Sequence, residues 1–274
     1  MTLKLDGPLL LAGAGNMGYA MLTGWLERGL DPARIIVQDP APSRRIKEQL
    51  DWHGIEVRAQ VRSLPEAPAV ILVAVKPQVM DEVFPALAQL ARQKTVVVSI
   101  AAGRRIDGFE AHLPDGVAVV RAMPNTPASV GRGITVAVGN AHVTAPQREM
   151  CEGLLRAVGE VAWVNDEGLM DAVTAVSGSG PAYVFYLAEC LAAAGVKAGL
   201  APELAEQLAT WTVAGAGELL HRSDLGPQLL RQNVTSPNGT TFAALQVLMA
   251  EGGLSTLMEE AVAAAAKRSR ELAK

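Results

Sequence analysis

Six residues constrain this chain more than any other stretch. Gly13-Ala14-Gly15-Asn16-Met17-Gly18 lie between an apolar run, Leu9 to Ala12, and a helical pattern that opens at Met17. Three glycines at this spacing between a strand and a helix do separate work. The first permits a tight turn, the second lets a ligand approach the backbone, and the third lets helix and strand pack closely. The amides that open the helix then face negative charge. The pattern reads as a dinucleotide fingerprint in which Gly13, Gly15, Asn16, Met17 and Gly18 hold a pyrophosphate. The plainer alternative is a tight turn with no ligand.

The residues around the fingerprint supply its context. Leu9 to Ala12, Ile35 to Gln38, Val70 to Val75, Val96 to Ile100, Val117 to Met123 and Ile134 to Val138 are Val- and Ile-rich runs bounded by Gly, Pro or Asp. Such runs suit buried parallel strands. Helical patterns lie between them at Met17 to Arg28, Ser43 to Trp52, Gln78 to Ala91 and Arg104 to His112. A further helix is expected over Pro146 to Val158 with Thr144 as its cap, followed by a strand over Val161 to Val164. Strands alternating with helices predict an α/β fold, a doubly wound Rossmann-type sheet, over residues 1–166.

The texture changes after about Asp166. Helical runs at Pro181 to Ala198, Pro202 to Leu220, Thr241 to Ala250 and Leu254 to Leu272 carry no strand signal. Residues 167–274 are therefore expected to form an all-α second domain. Several of its helices are apolar on more than one face, as in Val184 to Ala188 and Leu191 to Ala194. A helix apolar all round must be buried, and about a hundred residues cannot bury so much alone, so this domain is expected to dimerise with a second copy.

Composition excludes several classes of function. Half of the 274 residues are hydrophobic and 19% are charged, which rules out a disordered chain. The net charge of −4 offers no basic face for nucleic acid, and 4% aromatics offer no stacking platform. Cys151 and Cys190 show no C-x-x-C spacing and the four histidines are scattered, so no metal site is expected. The thiols fit a reducing compartment. No apolar run is long enough for a membrane span and no signal peptide is framed, so the expected location is the cytoplasm.

Several polar positions fall where a dinucleotide would lie. Asp39, 21 residues past Gly18, ends the second strand and could accept from ribose hydroxyls. Arg44 and Arg45 follow closely and could instead meet a 2′-phosphate, which leaves NAD(H) and NADP(H) both open. Ala74-Val75-Lys76-Pro77 and Ala101-Ala102-Gly103 end the next two strands and would line the same crevice, while Asn125 and Thr126 in Met123-Pro-Asn-Thr-Pro127 could address the nicotinamide amide. Two polar patches interrupt the second domain. Ser177-Gly-Ser-Gly-Pro181 is not a G-x-S-x-G elbow and has no histidine in a sensible relation to it, which disfavours a hydrolase. Thr235 to Thr241 offers hydroxyls and amides at a helix start, a cradle for a carboxylate or simply a cap.

Together, Gly13 to Gly18, Ala74-Val-Lys-Pro77, Arg121-Ala-Met-Pro-Asn-Thr-Pro127, Ser177-Gly-Ser-Gly-Pro-Ala-Tyr183 and Ser236-Pro-Asn-Gly-Thr-Thr241 closely resemble the pyrroline-5-carboxylate reductases, in the family's order and across nearly the whole chain. The resemblance implies reduction of 1-pyrroline-5-carboxylate to L-proline with NADPH or NADH, the last step of proline synthesis. It implies a homodimer with interlocked helical domains, often assembled into a decamer. Cofactor contacts would come from Asn16, Met17, Ala74 to Pro77 and Ala101 to Gly103. Ser236, Gly239, Thr240 and Thr241 would hold the substrate between the two domains, with Ser177 contributing and Thr241 at the imine nitrogen as the catalytic residue. The family usually has Gly at the position of Asn238, and Gln60-Val61-Arg62 lacks the Asn that many members direct at the adenosine.

Two other readings differ in kind. β-Hydroxyacid dehydrogenases share the layout but place a catalytic lysine on a helix soon after a Gly-rich turn; here the helix after Gly180 reaches Lys197 before any lysine. A non-catalytic dinucleotide sensor would explain Gly13 to Gly18 but not Ser236 to Thr241.

Overall fold

The computed structural model describes residues 3 and 5–273. They form two compact units, the residues up to Gly178 together with those from Ala266 onward, and Ser179–Ala265.

In the first unit eight strands make one sheet: β1 (Leu9–Ala12), β2 (Ile35–Gln38), β3 (Glu56–Arg58), β4 (Val70–Val73), β5 (Val96–Ser99), β6 (Ala118–Met123), β7 (Gly133–Gly139) and β8 (Gly159–Trp163), in the order β3-β2-β1-β4-β5-β6-β7-β8. The helices between them are α1 (Asn16–Glu27), α2 (Arg44–Trp52), α3 (Met80–Ala88), α4 (Ile106–Glu110) and α5 (Ala145–Leu155), with α6 (Met170–Val173) after the last strand. The chain winds outward from β1 to β3 and returns to place β4 on the other side of β1. The order therefore reverses between β1 and β4, where open α/β sheets bind ligands beyond the carboxyl ends of their strands.

Strand period puts alternate residues on opposite faces. Leu9, Leu11, Val37, Val70 and Leu72 face one core with Met21, Trp25 and Leu154; Leu10, Ala12, Ile71 and Val73 face another with Phe84, Leu87 and Phe109. Trp25 is wholly buried and its indole N–H donates to the Leu154 carbonyl at 2.9 Å, so its one polar atom is satisfied. Local chemistry sets the helix starts. Ser43 Oγ accepts from the Ile46 amide to cap α2, and Thr144 forms a capping box with Gln147 at α5.

The sequence expectation of parallel strands fails at one place. β7, expected as the parallel strand Ile134 to Val138, pairs antiparallel with β6, Met123 opposite Val136 and Val120 opposite Gly139. Only residues 124–132 join the two, including the short 3-10 turn Thr126–Val130. A parallel return needs a crossover of a dozen residues or more, whereas an antiparallel neighbour needs only a short link. β3 escapes a reading by hydrophobicity because Glu56-Val57-Arg58 is a charged edge strand of three residues. The helix expected over Gln78 to Ala91 is shorter, α3 opening after the 3-10 turn Pro77–Val79.

The second unit holds α7 (Gly180–Lys197), α8 (Pro202–Arg222), α9 (Pro227–Asn233), α10 (Thr240–Leu248) and the first part of α11 (Leu254–Leu272), whose residues from Ala266 onward belong to the first unit. α7 and α8 form a hairpin turned by Gly199 in the left-handed region (φ +102°). α9 is too short and polar for a periodicity to reveal. Neither α7 nor α10 has a buried residue in the single chain, and Phe185 and Tyr186 are about two-thirds exposed. Apolar faces of this extent are unusual for a surface left open to water. Among the described residues no helix is long and apolar enough to cross a membrane.

Candidate active site

The three fingerprint glycines play three distinguishable parts. Gly13 has φ +93°, and a Cβ there would lie 2.8 Å from the Ala74 carbonyl, so both conformation and space demand glycine. A Cβ on Gly18 would collide with the Gly13 carbonyl oxygen, so Gly18 is required for α1 to pack on the turn. Gly15 is different. It caps α1 with extended backbone (φ −67°, ψ −172°), it is exposed, and a Cβ would meet nothing within 4 Å. Among the described residues no contact calls for glycine at this position. An unhindered backbone at an uncapped helix start is what a pyrophosphate requires, and in this respect the residues fit a dinucleotide.

Asp39 lies at the end of β2, half-buried. One carboxylate oxygen accepts from the Ala14 amide at 2.8 Å and the other from the Ala41 amide at 2.9 Å. It thus braces the glycine turn from the end of β2. The two arginines after it diverge. Arg44 pairs with Glu48 on its own helix at 2.8 Å, whereas Arg45 stands over the Tyr19 ring, 5.8 Å from the centroid. Arg45 and Tyr19 line a groove of about 680 Å³ that starts at Asn16 and Met17 and includes Thr126.

The ends of β4 and β5 present the other expected cofactor residues. The Ala74 amide donates to the Ala12 carbonyl at 2.7 Å, Val75 packs against the second core, and exposed Lys76 precedes the Pro77–Val79 turn. Ala101 is buried, its amide 3.3 Å from Ser99 Oγ, and Ala102 is exposed; at Gly103 (φ +72°) a Cβ would sit 3.2 Å from the Leu272 carbonyl oxygen. Arg104, not singled out by the sequence, forks onto both Asp81 carboxylate oxygens (2.7 and 2.9 Å) and donates to the Pro77 carbonyl at 2.9 Å. Those hydrogen bonds hold the Asp81 carboxyl below its ordinary pKa. Asn125, two residues past β6 and just before the 3-10 turn Thr126–Val130, accepts from the Ile134 amide through Oδ1 at 2.9 Å.

A second feature missed from sequence is a buried ion pair. Arg121 on β6 is 5% exposed and donates to Glu167 Oε1 at 2.9 Å; the same oxygen accepts from the Ile106 amide at 2.9 Å. An arginine in a run of Val and Ala is the signal that could have revealed it, since a buried charge needs a partner. Glu167→Gln should lower unfolding stability by about 1.5 kcal/mol, because a charged hydrogen bond becomes a neutral one beside a buried guanidinium. A urea midpoint equal to wild type would mean that the pair carries no net stability.

Neither polar patch of the helical region is explained by capping. Ser177 lies in a single π-helical turn, Thr174–Gly178, and its hydroxyl is buried without a hydrogen-bond partner among the described residues. Such turns are frequent at functional sites, and an orphaned hydroxyl points to a partner outside the protein. The start of α7 has no side-chain cap bond. At α10, Gly239 is the N-cap, again without a side-chain cap, so the amides of Thr240 and Thr241 open the helix. Asn238 has φ +57°, the left-handed conformation that Asn tolerates better than most residues. The Gly239 amide donates to the Ser236 carbonyl at 3.1 Å, closing a turn that begins at exposed Ser236; half-buried Thr241 follows in the first turn of α10.

Other reactive groups fall away. Burial pushes the Cys151 thiol up to about 12, which makes it an inert part of the core. Lys197 is the last residue of α7, and among the described residues no group of His, Cys, Asp and Glu could hold a metal.

A doubly wound nucleotide-binding unit with an open glycine turn at its switch point, followed by a helical unit, defines a nicotinamide-dinucleotide oxidoreductase. In agreement, residues 9–103 match the family model for NADP oxidoreductase, coenzyme F420-dependent, and residues 167–272 that for pyrroline-5-carboxylate reductase dimerisation. The chain is 42% identical over 261 residues to the pyrroline-5-carboxylate reductase of Pseudomonas aeruginosa, covering 95% of each chain. It superposes on the solved pyrroline-5-carboxylate reductase of Coxiella burnetii with TM-score 0.90 at 35% identity, covering 98% of this chain and all of that one. The NADP-bound pyrroline carboxylate reductase of Plasmodium falciparum gives 0.80 at 27% identity, covering 98% and 99%. The chain belongs to the pyrroline-5-carboxylate reductase family.

Proposed function

We propose that the protein reduces 1-pyrroline-5-carboxylate to L-proline with NADPH or NADH, the last step of proline synthesis. The observation that carries this reading is the uncapped start of α10 behind Ser236, in a chain that matches curated reductases along its length. When bound, the nicotinamide supplies a hydride to the imine carbon. The Asn16 and Met17 amides hold the pyrophosphate, and the turns Ala74 to Pro77 and Ala101 to Gly103, with Asn125, line the rest of the cofactor.

The substrate brings an anionic carboxylate and a ring nitrogen that protonates readily. Amides at the start of α10, with Ser236, Gly239 and Thr240, bind the carboxylate through the helix dipole, without an arginine. Thr241 Oγ1 accepts from the iminium N–H and so orients the ring. Because the nitrogen is already protonated, no strong protein acid is needed, and the gain comes mainly from alignment. The orphaned Ser177 hydroxyl is a further candidate donor to the substrate. The dimerisation match and the open faces of α7 and α10 support a homodimer as the working unit, and free Cys151 and Cys190 fit a reducing cytoplasm. Monitoring loss of reduced nicotinamide with and without pyrroline-5-carboxylate tests the reaction; oxidation that ignores the substrate would refute it.

Asp39 sets the cofactor preference in this reading. A carboxylate beside a 2′-phosphate is repelled by about 1 kcal/mol or more when partly screened. Asp39→Ser should therefore shift the ratio of kcat/KM values towards NADPH by roughly fivefold or more. An unchanged ratio would leave Asp39 with only its bracing bonds to Ala14 and Ala41.

A further inference from the structure

We propose that Arg104 is a positioning residue for the dinucleotide, fastening the turn that ends β4 to the turn that ends β5 so that the cofactor meets them as one surface. The proposal rests on assigning Ala74 to Pro77 and Ala101 to Gly103 to the cofactor.

The two turns belong to neighbouring parallel strands but to different crossover connections. β4 leads through Lys76 and Pro77 into α3, and β5 leads through Ala101 to Gly103 into α4. Backbone pairing between the strands ends at their last ladder residues, Val73 and Ser99, with one further bond from the Ile100 amide to the Val73 carbonyl. Beyond it, Arg104 reaches back across the gap. It follows Gly103 directly, and its guanidinium grips both oxygens of Asp81 in the first turn of α3 and the carbonyl of Pro77 itself. A planar fork suits this task, because it fixes direction as well as distance, which a lysine ammonium cannot do.

The Arg104 side chain is one-third exposed and that of Asp81 three-quarters exposed. Ion pairs so open to water add little to global stability. The role of this one is therefore geometric: it sets the separation of two backbone turns that a ligand touches together. Arg104 is not itself assigned to the cofactor, so its effect should be the same for a nucleotide with or without a 2′-phosphate.

The test is titration of NADPH and NADH into the full chain and its Arg104→Met, Arg104→Lys, Asp81→Asn and Gly15→Val variants, with KM for pyrroline-5-carboxylate and Tm measured alongside. Arg104→Met should weaken both nucleotides roughly three- to tenfold, within the range of indirect positioning effects. Arg104→Lys should fall between it and wild type, while KM for substrate at saturating cofactor and Tm stay close to wild type. Asp81→Asn, which keeps the arginine, should show the same trend if Arg104→Met fails to fold. Four results would overturn the proposal. Wild-type affinity in Arg104→Met beside a weakened Gly15→Val removes the clamp alone. Wild-type affinity in both removes the cofactor assignment as well. Loss confined to NADPH makes Arg104 a direct phosphate contact, and a large fall in Tm with KM and affinity lost together makes it merely structural.

Discussion

Gly15→Val is expected to weaken cofactor binding roughly a hundredfold or more, about 3 kcal/mol, while the protein stays folded. Both halves follow from the same geometry. The extended backbone at Gly15 is one that valine adopts readily, and among the described residues nothing lies within 4 Å of a Cβ there. The folded chain therefore loses only the difference between Gly and Val as a cap, about 1 kcal/mol. The isopropyl group would stand where the fingerprint needs bare backbone beside the pyrophosphate. Gly18→Ala makes the contrast, since its Cβ runs into the Gly13 carbonyl and should destabilise the first unit itself. Nucleotide titration and thermal unfolding of the two variants separate these effects. Wild-type affinity in a folded Gly15→Val would remove the basis for placing the pyrophosphate at this turn.

Thr241→Ala is expected to lower kcat/KM for pyrroline-5-carboxylate by roughly one to two decades, the equivalent of one charge-assisted hydrogen bond. Thr241 is the second residue of α10, after the Gly239 cap. Alanine there keeps the amide and the helix, so the carboxylate cradle survives and only the hydroxyl is lost. Cofactor affinity should hardly change, and Thr241→Ser should restore most of the activity. Wild-type turnover in Thr241→Ala at substrate well below KM would mean that the ring nitrogen is held elsewhere.

The sequence exposes those parts of the fold that hydrophobic period and glycine spacing encode locally. β1, β2 and α11 fall where the pattern places them, and Gly13 and Gly18 have the predicted reasons to be glycine. What escapes is set by partners distant in the chain. The antiparallel entry of β7 depends on a link too short for a crossover, which apolar content cannot show. Arg121 and Glu167 lie 46 residues apart, and the fork of Arg104 on Asp81 and Pro77 spans 23 and 27. Asp39 is the instructive case. Its place at a strand end is legible, yet its bond to the Ala14 amide, which makes it a brace for the glycine turn, is visible only in three dimensions. Asn238 teaches the converse, because a departure from the family's usual glycine becomes intelligible once its backbone is seen to be left-handed.

The central claim is a division of labour, with Gly13 to Gly18 serving the cofactor and Ser236 to Thr241 serving the imine. It is tested most directly by measuring NADPH affinity and kcat/KM for pyrroline-5-carboxylate on the same preparations of wild type, Gly15→Val and Thr241→Ala, with L-proline quantified as product. The account predicts stoichiometric proline from wild type, lost nucleotide affinity only in Gly15→Val, and normal affinity with lowered kcat/KM in Thr241→Ala. Nucleotide affinity lost in Thr241→Ala but kept in Gly15→Val, or cofactor oxidation without proline, would contradict it.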